Sequence, residues 1–76
     1  MTRPPQVTAE RLLRARARAG FTEVHRKGSH ATLVHGTDPT RVAVVPVHKG
    51  KDIRPGTLRM ILKGARLSVE ELKESL

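Results

Sequence analysis

The sequence predicts an α+β fold in which one helix precedes three antiparallel strands, with a second helix and a short extra C-terminal helix after them. Three features predict this order: an amphipathic pattern after Thr8, short alternating segments separated by turn residues in the middle, and a second amphipathic pattern from Pro55. The helices are expected on one face of the sheet. The length of 76 residues suits a single domain, residues 1–76, with a shallow surface site.

The first helix has recognisable ends. Thr8 is a suitable N-cap with Glu10 in the first turn, and Gly20 is a suitable stop. The side chains expected on its buried face are Leu12, Leu13 and Ala17. The opposite face is expected to carry a basic stripe of Arg11, Arg14 and Arg18, for which a solvated surface is favoured over phosphate contact.

The three strands are predicted at residues 23–27, 30–35 and 41–45, separated by Gly28-Ser29 and by a turn at residues 36–39. Alternation along the middle strand puts Leu33 on one face and His30 on the other. If Leu33 packs on the helices, His30 faces outward. The third strand is apolar on both sides, so its outer face should be partly covered or available to a partner.

The second helix is predicted to begin with Pro55 at its first position, after which Ile53 and Leu58 can form a hydrophobic staple. Its buried stripe should comprise Leu58, Ile61, Leu62 and Ala65, and its exposed stripe Arg59, Lys63 and Arg66. The last segment opens with a capping box from Ser68 to Glu71 and carries Val69, Leu72 and Leu76 on one side.

The formal net charge of +8 is unevenly distributed. Residues 11–66 carry thirteen Lys or Arg against three acidic residues, whereas residues 67–76 are net acidic. This favours a polyanion such as RNA as a partner, although an acidic protein would also fit. The absence of cysteine excludes disulfides and thiolate sites, and the absence of a long apolar run predicts a cytoplasmic protein without a membrane partner.

Three short motifs occur in a fixed order: Arg26-Lys27-Gly28-Ser29-His30 after Gly20-Phe21, then Pro46-Val47-His48-Lys49-Gly50-Lys51, then Pro55-Gly56-Thr57-Leu58 with Ile61-Leu62. The order α-β-β-β-α with a basic surface is that of double-stranded-RNA-binding domains. Over roughly residues 9–72, these motifs together resemble the HicA (YcfA-like) mRNA interferase toxins. The resemblance implies an mRNA-cleaving toxin that is neutralised by a HicB-type antitoxin, with His30 as the catalytic histidine.

The chain departs from the family pattern in two places. Ala31-Thr32-Leu33 follows the motif histidine, where many members have another histidine or an aromatic residue, and Arg66 stands where members tend to have a glycine stop. Phe21 is the only aromatic residue, so base stacking cannot be the main source of RNA affinity. Phosphate contacts should therefore contribute more.

The residue types also support RNA cleavage without reference to the family. Metal-free RNA cleavage needs a base that takes the proton of a ribose 2′-OH and donors that stabilise charge on the phosphate. His30 is the candidate base, because an imidazole is able to accept a proton near neutral pH. The candidate RNA-binding residues are Arg26, Lys27, Gly28, Ser29, His48, Lys49 and Lys51. For Ser29 and His48, a purely structural role in a turn or loop is about as plausible.

No cofactor is expected, and a metal site is disfavoured because the four histidines do not converge in the predicted strands and lack neighbouring carboxylates. His25 and His35 are assigned to solvated strand ends. The main alternative is a non-catalytic RNA-binding module of the same fold, which would tolerate replacement of His30. Another is an inactive protein that only titrates an antitoxin.

Overall fold

The computed structural model describes residues 4–76 and has the predicted order of elements. The six elements are α1 (Ala9–Ala15), β1 (Phe21–Lys27), β2 (His30–His35), β3 (Val42–Pro46), α2 (Pro55–Ala65) and α3 (Val69–Ser75). The strands form one antiparallel sheet in the order β1-β2-β3. The α+β, double-stranded-RNA-binding-domain-like fold class is therefore confirmed, while β1 begins two residues earlier than predicted and β3 lies one residue later.

The core lies between the inner face of the sheet and the helices. Ala31 and Leu33 of β2 and Ala43 and Val45 of β3 are buried in one cluster with apolar residues of all three helices. Alternation leaves the other face open: His30 is exposed, and Val44 remains 49% exposed. The predicted outward position of His30 is thus confirmed, and the outer face of β3 is partly uncovered.

α1 is shorter than its pattern suggested. Thr8 caps it through its hydroxyl oxygen, which accepts from the Arg11 N–H, but the helix ends at Ala15 and turns continue to Gly20. Ala17 is exposed, so its predicted burial is wrong; Ala9 and Ala15 are buried instead. Arg18 likewise falls outside the helix, which breaks the predicted arginine stripe.

α2 and α3 begin as predicted. Pro55 occupies the first position of α2, and the proposed staple residues Ile53 and Leu58 are both buried. Ser68 and Glu71 form the capping box of α3. α2 ends at Ala65, and the capping residue Arg66 takes a left-handed conformation (φ 50°, ψ 46°) without being glycine. An ion pair of 2.9 Å between Arg66 and Asp38 holds it in place.

α2 approaches β3 closely at one point. A Cβ built on Gly64 would lie 2.6 Å from the Val42 carbonyl oxygen, so only glycine permits this contact between helix and strand. α2 consequently runs alongside the β3 edge, with its N-terminus at the same end of the sheet as His30.

Candidate functional site

Lys27, His30 and Pro46 form a row across one end of the outer sheet face. Lys27 is paired with His30, and His30 with Pro46 on its other side. Directly paired residues in an antiparallel sheet point to the same face, so the lysine and the histidine are neighbours there. We call this end, with the turn Gly28-Ser29 and the loop of residues 47–54, the His30 end.

Gly28 and Ser29 are the two central residues of the hairpin between β1 and β2. Gly28 has a positive φ of 56°, and Ser29 does not. A hairpin turn with positive φ at its first central position only is of type II′, which requires glycine there. This backbone requirement accounts for Gly28. The Ser29 carbonyl accepts a hydrogen bond from the Val47 N–H and so ties the turn to the loop after β3.

The two-residue turn at Gly28-Ser29 decides which basic residues share the face of His30. It pairs Lys27 with His30 and, further along the ladder, His25 with Thr32 on the outer face. A β-bulge between Glu23 and His25 then shifts the pairing, so that Glu23 stands opposite Leu33 on the inner side. Arg26, opposite the fully buried Ala31, belongs to the inner side and makes an ion pair of 2.9 Å with Glu23. The two predicted neighbours of His30, Arg26 and Lys27, are therefore on opposite faces.

The contact between Glu23 and Arg26 stabilises the charged forms of both side chains. The hydrogen bond from Arg26 lowers the pKa of the Glu23 carboxyl, and the same contact raises the pKa of Arg26. Both groups are thus held in their charged forms, and the positive charge of Arg26 is offset locally. Lys27 makes no ion pair with a residue in the described part of the chain.

The loop after β3 brings the other predicted residues to the same end. His48, Lys49 and Lys51 are exposed at its tip, where the Lys51 N–H donates to the His48 carbonyl. The loop then returns to the core, because the Ile53 N–H donates to the Val7 carbonyl at 2.8 Å. α2 follows with no side-chain cap on its first turn, so its free N–H groups add positive potential at this end.

Two shallow depressions adjoin His30. His30 itself lines a groove between the outer face of β3 and α2. A second depression is lined by His48, Lys51 and Arg54, with Asp52 as its one carboxylate. Both include Pro46 and Thr57, so the predicted histidines His30 and His48 lie in adjoining hollows on one surface.

The remaining histidines differ from their prediction as solvated strand ends. His35 is half-buried and packs edge-on against Phe21, with ring centroids 5.1 Å apart. His25 is exposed, but it lies one row from His30 on the outer face rather than at a strand end. Regular alternation from the hairpin turn produces that placement, because His25 precedes Lys27 by two residues and so shares its face.

Within residues 4–76, no group of three or more His, Cys, Asp or Glu is arranged to hold a metal ion. In the same residues, no helix is long and apolar enough to span a membrane.

The fold and this surface define a small α+β protein with a basic, histidine-bearing open sheet face. Residues 9–67 match the family described as HicA toxin of bacterial toxin-antitoxin, and the chain belongs to that family. It is thus the toxin member of a toxin–antitoxin pair. A comparison with curated proteins finds no match.

Proposed function

We propose that this toxin is a metal-independent mRNA endoribonuclease whose proton-transfer residue is His30. The observation that carries the proposal is the exposure of His30 on an open sheet face directly beside Lys27. An exposed imidazole contributes little to packing, whereas a neighbouring ammonium group is useful for holding a phosphate.

In the proposed reaction, a ring nitrogen of His30 takes the proton of a ribose 2′-OH. The 2′ oxygen attacks the adjacent phosphorus, and the bond from phosphorus to the 5′ oxygen breaks. The products are a 2′,3′-cyclic phosphate and a 5′-hydroxyl, whose proton comes from His48 or from water. Lys27 stabilises the charge that builds on the phosphate oxygens, while Lys49 and Lys51 hold the flanking backbone.

The test compares the purified protein with its His30→Ala and His25→Ala variants on an mRNA substrate in excess EDTA. His30→Ala should lower the cleavage rate by roughly 100-fold or more, the contribution typical of a positioned acid or base. His25→Ala removes the same group from the same face and should retain cleavage. The cut ends should be a 5′-hydroxyl and a cyclic or 3′-phosphate.

Each alternative predicts a different result in this experiment. Full activity of His30→Ala would contradict the mechanism, and activity that returns only with a divalent metal would contradict metal independence. Loss of activity in both variants would contradict the assignment of the base to His30 alone. A non-catalytic RNA-binding module would bind the mRNA and leave it intact with every variant.

We further propose that the antitoxin is an acidic, HicB-type protein that covers the His30 end. Lys27, Lys49 and Lys51 would meet its carboxylates, and Val34 on the half-buried outer face would meet apolar groups. RNA and antitoxin should then compete, and the association rate of the two proteins should fall as salt rises. Simultaneous binding of both, with His30 still accessible, would contradict direct occlusion.

A further inference from the structure

The groove beside His30 is unusually apolar for the surface of so basic a protein. One wall is the outer side of β3, with Val44 and Pro46, and the other is α2, with Thr57 and Met60. Met60 is 76% exposed and Val44 49% exposed. Among the described residues, the large hydrophobic side chains with substantial exposure are these two and Val24, so two of the three face this groove.

We propose that this groove, which we call the Met60 groove, binds one nucleobase of the RNA strand that is cleaved at His30. The inference rests on the proposed function and adds a base-binding subsite to it. Because His30 lines the groove, a group seated in it belongs to a nucleotide whose sugar and phosphate lie at the histidine.

The size of the groove suits a nucleobase. It is an open depression with a volume of about 340 Å³, at the lower end of the roughly 300–1,000 Å³ that small-molecule sites occupy. A single flat ring system fits a space of this size.

The charges around the groove also favour a nucleotide. None of the residues that line it carries a carboxylate, and Lys27 stands on the far side of His30. The neighbouring depression, which shares Pro46 and Thr57 with it, contributes Lys51 and Arg54 against the one carboxylate of Asp52. An apolar slot between two cationic areas matches the flat, weakly polar faces of a base that lies between two phosphates.

The composition of the chain leaves few other places for a base. Proteins usually stack single-stranded bases on aromatic rings, but the one aromatic residue, Phe21, is 5% exposed. A thioether is a favourable substitute, because methionine sulfur contacts aromatic rings well. Thr57 is the polar group opposite His30 in the groove, so we expect selection by ring size more than by hydrogen bonding.

The experiment combines Met60→Ala with removal of a base. The cut position in an oligoribonucleotide is mapped first, and substrates with an abasic ribose on its 5′ or 3′ side are then prepared. In the unmodified protein, one of these losses should lower kcat/KM by roughly fivefold to tenfold, which is the lower part of the range for base contacts. In Met60→Ala, the intact substrate should already show that loss, and removing the base should add little.

Two matched variants isolate the groove. Met60→Leu keeps the apolar volume and should restore most of kcat/KM, whereas Val24→Ala removes an exposed hydrophobic side chain outside the groove and should change nothing. Met60 and Val24 are both surface positions, so the three variants should fold normally. An unchanged kcat/KM and an unchanged abasic effect in Met60→Ala would overturn the proposal.

A binding measurement separates this inference from the proposed function. The affinities of His30→Ala and His30→Ala/Met60→Ala for intact and abasic oligoribonucleotides are compared. A base-dependent effect of Met60 would support the groove even if the protein proved not to cleave RNA. Cleavage without any Met60 effect would leave the proposed function standing and overturn the groove. If Met60→Ala weakened only antitoxin binding, the groove would belong to the protein partner, and the inference would be wrong.

Discussion

The two ends of the sheet use positive charge in opposite ways. At the end where His35 lies, with Phe21, residues 36–41, the C-terminus of α2 and α3, arginines donate hydrogen bonds to the fold. Their acceptors are backbone carbonyls and one carboxylate: Arg18 to Ser75, Arg41 to Ala65 and Arg66 to Asp38. We call this the His35 end. At the His30 end, Lys27, Lys49 and Lys51 make no ion pair with a described residue.

The contrast shows that a count of basic residues does not measure a nucleic-acid-binding surface. Several of the thirteen basic residues between positions 11 and 66 form hydrogen bonds or ion pairs within the protein at the His35 end. These contacts connect α2, α3 and the turn before β3. Lys27, Lys49 and Lys51 near His30 are not used in this way within the described residues. If this division is correct, substitutions at the His35 end should change stability alone, and those at the His30 end should change RNA binding alone.

The largest expected effect is that of Leu72→Ala at the His35 end. Leu72 is 1% exposed and borders a small apolar void of about 30 Å³ with Leu12 and Phe21, although it lies beyond the residues matched by the family. Truncating a buried leucine costs about 2–5 kcal/mol. Urea unfolding should show this loss, while RNA affinity at a temperature where the variant is folded should be unchanged. A normal stability would mean that α3 contributes nothing to the core.

The second-largest effect on stability is expected for Arg41, whose side chain contacts the fold at the His35 end. The Arg41 guanidinium donates to the Ala65 carbonyl at 2.7 Å and lies 5.5 Å from the centre of the Phe21 ring. Arg41→Met keeps much of the aliphatic stem but removes both contacts, and we expect a loss of about 1–3 kcal/mol in the free energy of unfolding. The matched variant Lys51→Met should stay within about 0.5 kcal/mol of the original protein. If Arg41→Met instead weakened RNA binding at unchanged stability, the division would fail.

Most of the fold followed from local patterns. Pro55 at the start of α2, the capping box at Ser68 and the Gly28-Ser29 turn each specify a backbone geometry through residues close in sequence, so these elements were predictable. The early end of α1 was not: the backbone continues in turns over residues 16–20, and the Arg18 side chain donates to the Ser75 carbonyl, far along the chain, a contact that periodicity does not describe. Ala17 fits a helical pattern that the chain does not complete.

The site was predictable in its histidine but not in its surroundings. Alternation from the buried Leu33 sufficed to place His30 outward. The side taken by Glu23, and with it the ion pair between Glu23 and Arg26, depends on the bulge near Val24, which has no clear local signature; a regular β1 would have put Glu23 on the outer face. The Met60 groove arises where α2 lies beside β3, a contact between separate parts of the chain that periodicity does not describe.

The two faces of β1 provide a third test, with the adjacent cations Lys27 and Arg26 as a matched pair. Lys27→Gln removes a charge from the face of His30 and should weaken RNA binding by roughly threefold to tenfold, with a reduction of about 1 in the slope of log affinity against log salt. Arg26→Gln removes a charge that is already paired with Glu23 on the inner side and should have less effect. Binding titrations at several salt concentrations measure both. Equal losses would show that RNA does not distinguish the two faces.

The smallest expected effect is a pH-dependent contribution to stability from Glu71, which lies at the His35 end. The Glu71 carboxylate accepts from the Ser68 N–H at 2.9 Å, and this hydrogen bond lowers its pKa from the ordinary value of 4.5. The folded state therefore favours the ionised form more than the unfolded state does, so this contribution is complete above about pH 4.5 and is lost as the pH falls through the lowered folded pKa.

Asp38, whose pKa is lowered chiefly by the Thr40 hydroxyl, contributes with the same sign, so the whole protein should lose stability in acid. Glu71→Gln isolates the share of Glu71, because glutamine can keep the capping hydrogen bond without the charge. The variant should have a slightly lower Tm than the original protein at pH 7, by less than Arg41→Met, and the difference should shrink as the pH falls below about 4.5. A Tm difference that stays constant or widens as the pH is lowered from about 4.5 to about 2 would show that the charge of Glu71 is not what stabilises the start of α3. RNA affinity at pH 7 should be the same in both proteins, since α3 lies at the end of the sheet away from His30.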